Sequence, residues 1–170
     1  TLNPLRHLDP MGSLLLLFAG FGLAKPVPVN PYALNRAAPS ALMWVSLAGP
    51  MSNFLLAILG AVPLRLGVLP GSFGGSAILP TPQAFLFEFV WINLALMLFN
   101  LIPLAPLDGE KIAAYFAPPS IARVLERISP YGPIILLAVF FLGPRLGIDI
   151  MGMIMIQPLA NLFYLLVGGF

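Results

Sequence analysis

Residues 84–109 read AFLFEFVWINLALMLFNLIPLAPLDG, and how this stretch is read decides the fold. Residues 84–102 are apolar except for Glu88, Asn93 and Asn100. A helix crossing the hydrocarbon core of a bilayer needs about 20 mostly apolar residues, so the segment is long enough to span. Residues 103–109 are of another kind. Pro103 and Pro106 each delete a backbone donor and oppose helix continuation, which predicts unwinding near Asn100. Asp108 then emerges from irregular backbone, with Gly109 permitting a turn beside it. Non-helical backbone at membrane depth is tolerated only where protein or a water-filled cavity covers it, and ionisable groups there tend to mark function. A carboxylate so placed can ligate a metal, relay a proton or start the next helix. The last reading has a physical basis in LDGEKIAAYF (107–116). Aspartate prefers N-cap positions, and acidic groups favour the positive end of the helix dipole.

Composition agrees with a lipid setting. The chain has 170 residues, 59% hydrophobic and 8% charged, with mean hydropathy +0.98. A soluble domain carries about 25% charged residues, so this chain has too few charges to cover a water-facing surface. It reads as a protein of the lipid bilayer, a single membrane domain over 1–170 with no shift in composition along it. The net charge of +2 and pI near 9.3 come without a basic cluster, so they speak for topology and against a nucleic-acid partner. The absence of cysteine excludes disulfides and thiolate metal sites. The one histidine, His7, lies near Asp9 between prolines and reads as a local hydrogen-bond pair in a turn. The chain starts at Thr1 rather than Met, so its front is expected to be incomplete.

Working outward, ALMWVSLAGPMSNFLLAILGAV (41–62) is a second span, with Gly49, Pro50, Ser52 and Asn53 in its middle. Ala48, Gly49 and Ser52 suit close helix packing, and Asn53 can serve as an interhelical hydrogen-bond partner. Glu88 falls early in its own span, near one interface. YGPIILLAVFFLG (131–143) is short unless its helix begins near Ile128, and IDIMGMIMIQPLANLFYLLVGGF (148–170) is long enough but broken at Gln157-Pro158. The apolar run 11–24 has a length that favours a re-entrant segment. The adjoining KPVPVNPY (25–32) fits an extended edge strand. Residues 66–83 form a Gly/Pro-rich loop, and SIARVLERISP (120–130) is a short amphipathic helix facing headgroups. The expected architecture is an all-α polytopic membrane protein of about four transmembrane helices, plus a short re-entrant segment and a small β element. Residues 1–40 carry the re-entrant and β parts, 103–130 the loop and amphipathic helix, and 128–170 the C-terminal helices. With 41–62 and 84–102 both spanning, Arg6, Lys25, Arg36, Lys111, Arg123 and Arg127 share one side. The positive-inside rule makes that side cytoplasmic, which puts Asp108 and the β element near the cytoplasmic face.

Four segments, taken together, resemble one family: LNPLRHLDPMG (2–12), GLAKPVPVN (22–30), AGPMSN (48–53) and NLIPLAPLDG (100–109). In this order they are similar to the site-2 protease family of intramembrane zinc metalloproteases, most closely its compact bacterial branch without a PDZ domain. The resemblance implies a single zinc ion bound by two histidines of an H-E-x-x-H helix, whose Glu is the general base, with Asp108 as third ligand. It implies Asn100 near the metal, holding substrate or stabilising an oxyanion, and Asn53 lining the same cavity. It also implies that the strand with Lys25, Val27 and Val29 receives an unwound transmembrane substrate by β-augmentation, in a bacterial cytoplasmic membrane.

One element of that pattern does not occur. No H-E-x-x-H is present in these 170 residues, and the family places it shortly upstream of the segment that begins here. Two explanations stand. Either the natural protein has that helix upstream, or the chain is a non-catalytic homologue acting as scaffold or accessory subunit of a membrane complex. A transporter using Glu88 and Asp108 as ion sites would call for inverted repeats, and the sequence has none.

Overall fold

The structure is a computed structural model that describes residues 38, 40–69, 80–147 and 152–168. The expected re-entrant segment 11–24, the β element and Lys25, Val27 and Val29 lie outside the described residues. Among the described residues the fold is all-helical, with no strand. Three helical stretches are long and apolar enough to cross a membrane: Ala41–Arg65, Pro82–Asn100 and Pro119–Phe141. The stretch expected to form a fourth span holds a shorter apolar helix, Gly152–Val167.

Helix α1, Ala41–Arg65, runs through Pro50 and Pro63 without a break. The Ser52 hydroxyl donates to the Gly49 carbonyl at 2.7 Å beside the missing Pro50 donor. The helix outlasts the expected end at 62 because Leu66 N–H still reaches the Val62 carbonyl at 3.0 Å. Gly67, at φ +61°, then takes the left-handed conformation that ends helices. Helix α2, Pro82–Asn100, begins earlier than the hydropathy suggests. Thr81 caps it, its hydroxyl accepting from Ala84 N–H at 3.2 Å, and Pro82 occupies a first-turn position whose missing donor costs nothing.

After Asn100 the chain makes tight turns, with Leu104 N–H on the Ile102 carbonyl and Leu107 N–H on the Leu104 carbonyl. Helix α3 is Asp108–Phe116, α4 Pro119–Ile128 and α5 Gly132–Phe141, the last two joined by a 3-10 turn at Ser129–Tyr131. A π turn, Gly152–Ile156, leads directly into α6, Gln157–Val167.

The core lies between α1, α2 and α6. Ala57, Ala61 and Leu64 of α1 meet Val90, Leu94 and Met97 of α2 and Leu159, Phe163 and Val167 of α6. Each trio follows the i, i+4, i+7 or i+8 spacing of a single helical face. A Cβ on Gly60 would stand 2.8 Å from Phe89 Cδ1 and 3.0 Å from Val90 Cγ2, so α1 and α2 cross where α1 carries small residues. Phe163 fills the third corner against Phe87 and Trp91, at centroid distances of 4.5 and 5.5 Å. Arg65 ties α1 to α6, its guanidinium donating to the Leu165 and Leu166 carbonyls at 2.7 and 3.3 Å. A cation at a helix C-terminus complements the dipole there. Helix α3 packs on α1, and this contact builds the candidate site.

Candidate metal-ligand site

Asp108 is the first residue of α3, not its N-cap. Leu107 holds the cap position with extended backbone, and no side chain makes a cap bond. The helix does start at Asp108, with the carboxylate in its first turn as the helix dipole favours, but the carboxylate makes no cap hydrogen bond to the orphan amides of its own helix. It instead faces α1. A Cβ on Gly49 would stand 3.1 Å from Asp108 Oδ2, so the carboxylate rests against bare backbone where any side chain would intrude. Asp108 is half-buried, and its carboxylate has no hydrogen bond or ion pair among the described residues.

The seat is set by two further close approaches. A Cβ on Gly109 would overlap the Leu101 and Ile102 carbonyls, and one on Gly132 would overlap the Ala105 carbonyl. Gly109 thus serves backbone-on-backbone packing rather than a turn requiring positive φ. The proline-broken segment 101–107 is held between the start of α3 and the start of α5, with Ala105 and Leu107 buried.

Asn53 lies one turn beyond Gly49 on α1 and is half-buried, on the face that Asp108 approaches. Asn100 is half-buried at the end of α2, and its Nδ2 donates to the Leu96 carbonyl at 3.0 Å. Its sequence neighbour Leu101 is under Gly109, so the turn brings Asn100 and Asp108 to the same end of the bundle. Asn93 of the same helix is buried and satisfied locally, Nδ2 donating to the Phe89 carbonyl at 2.8 Å. Glu88 is exposed on α2. The residue that sequence reasoning missed is Gly49. Its smallness was visible, but as a helix-packing feature, and nothing local says that a carboxylate from another helix occupies the space.

A catalytic zinc takes three protein ligands and an open position. Among the described residues no group of three His, Cys, Asp or Glu side chains comes together. Asp108 offers a carboxylate with no cation beside it among the described residues, and the described residues alone do not complete the shell.

Residues 74–140 match the profile of peptidase family M50. Two curated proteins, each carrying the name "Putative zinc metalloprotease", are similar over most of the chain. YwhC of Bacillus subtilis (strain 168) is 40% identical over 140 residues, covering 82% of this chain and 64% of the relative. Rip2 of Mycobacterium tuberculosis (strain ATCC 25618 / H37Rv) is 33% identical over 153 residues, covering 86% of this chain and 55% of the relative. The chain thus spans just under two thirds of the first and just over half of the second. No solved structure matches the chain significantly.

Proposed function

This chain belongs to peptidase family M50, the site-2 protease family, and from that premise we propose that it forms the Asp-bearing part of an intramembrane zinc metalloprotease. The reaction is hydrolysis of a peptide bond in or near the transmembrane segment of a substrate protein. The observation that carries this reading is the Asp108 carboxylate, seated against Gly49 and engaged by no described cation or cap. The reading requires two histidines and a general-base glutamate of an H-E-x-x-H motif that these 170 residues do not contain.

In this reading a zinc ion held by Asp108 and two histidines would supply Lewis-acid chemistry for peptide-bond hydrolysis near neutral pH. The chain's own residues do the rest. Asp108 would serve as one ligand from the first turn of α3, its seat set by the close approaches of Gly49 and Gly109. Asn100 and Asn53 supply amide donors at the end of the bundle where a substrate carbonyl would enter. The segment with Lys25, Val27 and Val29 receives the unwound substrate as an added strand, since a helical substrate hides its peptide bonds. The protein is an integral membrane protein, and we place it in a bacterial cytoplasmic membrane with Asp108 towards the cytoplasm.

The test is metal analysis of the full-length protein together with cleavage of a transmembrane reporter. The reading predicts about one zinc per chain, with Asp108→Ala losing both zinc and cleavage. Zinc content and cleavage that do not change in Asp108→Ala would remove Asp108 from the site. A protein without zinc or cleavage that co-purifies with the same membrane subunits, whether or not Asp108 is replaced, would establish the scaffold reading instead.

A further inference from the structure

Helix α4, PSIARVLERI (119–128), has no buried residue. Ile121, Val124, Leu125 and Ile128 follow the i, i+3, i+4, i+7 spacing of one apolar stripe. Ile121 and Val124 are about half exposed, at 52% and 51%. Ser120, Arg123 and Arg127 follow the same spacing on the adjoining face and, with Val124, line a shallow concavity. Arg123 Nε donates to the Pro119 carbonyl at 3.1 Å, which uses one of the five donors of a guanidinium. Glu126, the one acid of the helix, falls at the edge of the polar face away from Ser120.

The position of α4 along the chain decides what covers it. It opens the apolar stretch Pro119–Phe141, but all the charges of that stretch lie at 123–127. Charges are costly at the bilayer centre, so the first half belongs at the headgroup level and the apolar second half in hydrocarbon. Pro130 and Pro133, at the 3-10 turn and the start of α5, each remove a helix donor where the two halves join. A helix with a sharp apolar stripe and arginines beside it, at that level, matches the pattern of an interfacial helix.

We propose that α4 is an anionic-phospholipid site. The Arg123 and Arg127 guanidiniums and the Ser120 hydroxyl hold the phosphodiester of an acidic lipid in the leaflet that faces the Asp108 end, and Ile121, Val124 and Ile128 pack on its acyl chains. Charge complementarity and continuity with the membrane-crossing segment select a lipid as occupant. The site bears on Asp108 through the chain itself. Helix α3 precedes α4, and Gly132 after it lies on the Ala105 backbone, in the segment that carries Asp108. A lipid held on α4 thereby sets the depth of that segment in the membrane. The proposal does not depend on peptidase activity.

The test uses the full-length protein in detergent, with phosphatidylglycerol and phosphatidylcholine of matched chains as probes and native mass spectrometry as readout. An arginine near an anionic surface strengthens attachment about fivefold, so Arg123→Gln/Arg127→Gln should lower phosphatidylglycerol retention by at least tenfold. Arg123→Lys/Arg127→Lys should keep most of it. The arginines are exposed, so both variants are expected to fold. In vesicles containing phosphatidylglycerol, a fluorophore on Val124→Cys should be shielded from an aqueous quencher and one on Glu126→Cys should not. Equal lipid retention by wild type and the glutamine variant would overturn the proposal. So would equal quenching at 124 and 126, or displacement of the lipid by inorganic phosphate, which would make the site one for a free anion.

Discussion

At the scale of single residues, the site depends on what Gly49 lacks. In Gly49→Ala the new Cβ would lie 3.1 Å from Asp108 Oδ2, closer than ordinary van der Waals contact, so the carboxylate must shift by a few tenths of an ångström. Alanine favours a helix interior over glycine by about 1 kcal/mol. The expected outcome is therefore a split: thermal unfolding unchanged or higher, zinc affinity lower by about tenfold, the scale on which groups supporting metal ligands act. Chelator competition alongside a melting curve checks both halves, and a variant that binds zinc normally would show that the apposition has no metal role. Asp108 was visible in the sequence as an acid after broken backbone. Its neighbour on α1 was not, because the apposition joins segments far apart in the chain and leaves no local periodicity. The N-cap expectation failed for a local reason. Leu107, buried and extended, takes the cap position and moves Asp108 one residue into the helix, where its side chain turns outward to α1.

At the scale of elements, both long helices were legible from length and hydropathy, and their ends were not. Thr81 and Pro82 extend α2 at its start, while α1 passes through Pro50 and Pro63 that sequence rules count as breakers. Lipid explains the tolerance: an unwound turn there would expose backbone groups that nothing can satisfy. Between helices in a membrane the hydrophobic drive is largely absent and close packing takes its place. The α1–α2 crossing rests on Ala57, Gly60 and Ala61, small residues facing Val90 and Leu94. Gly60→Leu places a branched side chain against Phe89 and Val90, and overpacking of this kind costs about 1–3 kcal/mol. Steric-trap or chemical unfolding in detergent should register that loss, whereas Leu59→Ala, on the exposed side of the same helix, should register little. Equal effects at both positions would mean that α1 and α2 do not pack here in the membrane.

At the scale of the whole molecule, the distribution of basic residues predicts a topology that labelling can read. The 170 residues contain no cysteine, so single cysteines can be introduced into them without competition from their own thiols. Ser120→Cys should react with an impermeant maleimide only from the cytoplasmic side, and Gly67→Cys, just past the end of α1, only from the other. Reaction of both from one side would mean that α1 and α2 do not both cross. The class of the protein was legible because composition alone rules out a water-facing surface. The completeness of its site was not, since a coordination shell is assembled from ligands on separate elements and one aspartate cannot report the rest. The structure adds the frame into which such ligands must fit: α3 docked on α1, and segment 101–107 held between α3 and α5.

That frame carries a warning for anyone mapping the site by mutagenesis. Systematic replacement with alanine works by subtraction: it deletes atoms and asks what fails. Gly49, Gly109 and Gly132 have nothing to delete, and at each of them alanine is an addition, placed against a carboxylate oxygen or a peptide carbonyl. A survey that skips glycines as already minimal would miss the supports of Asp108 altogether. One that includes them would record damage from atoms gained, a result with the opposite meaning from every other position in the scan.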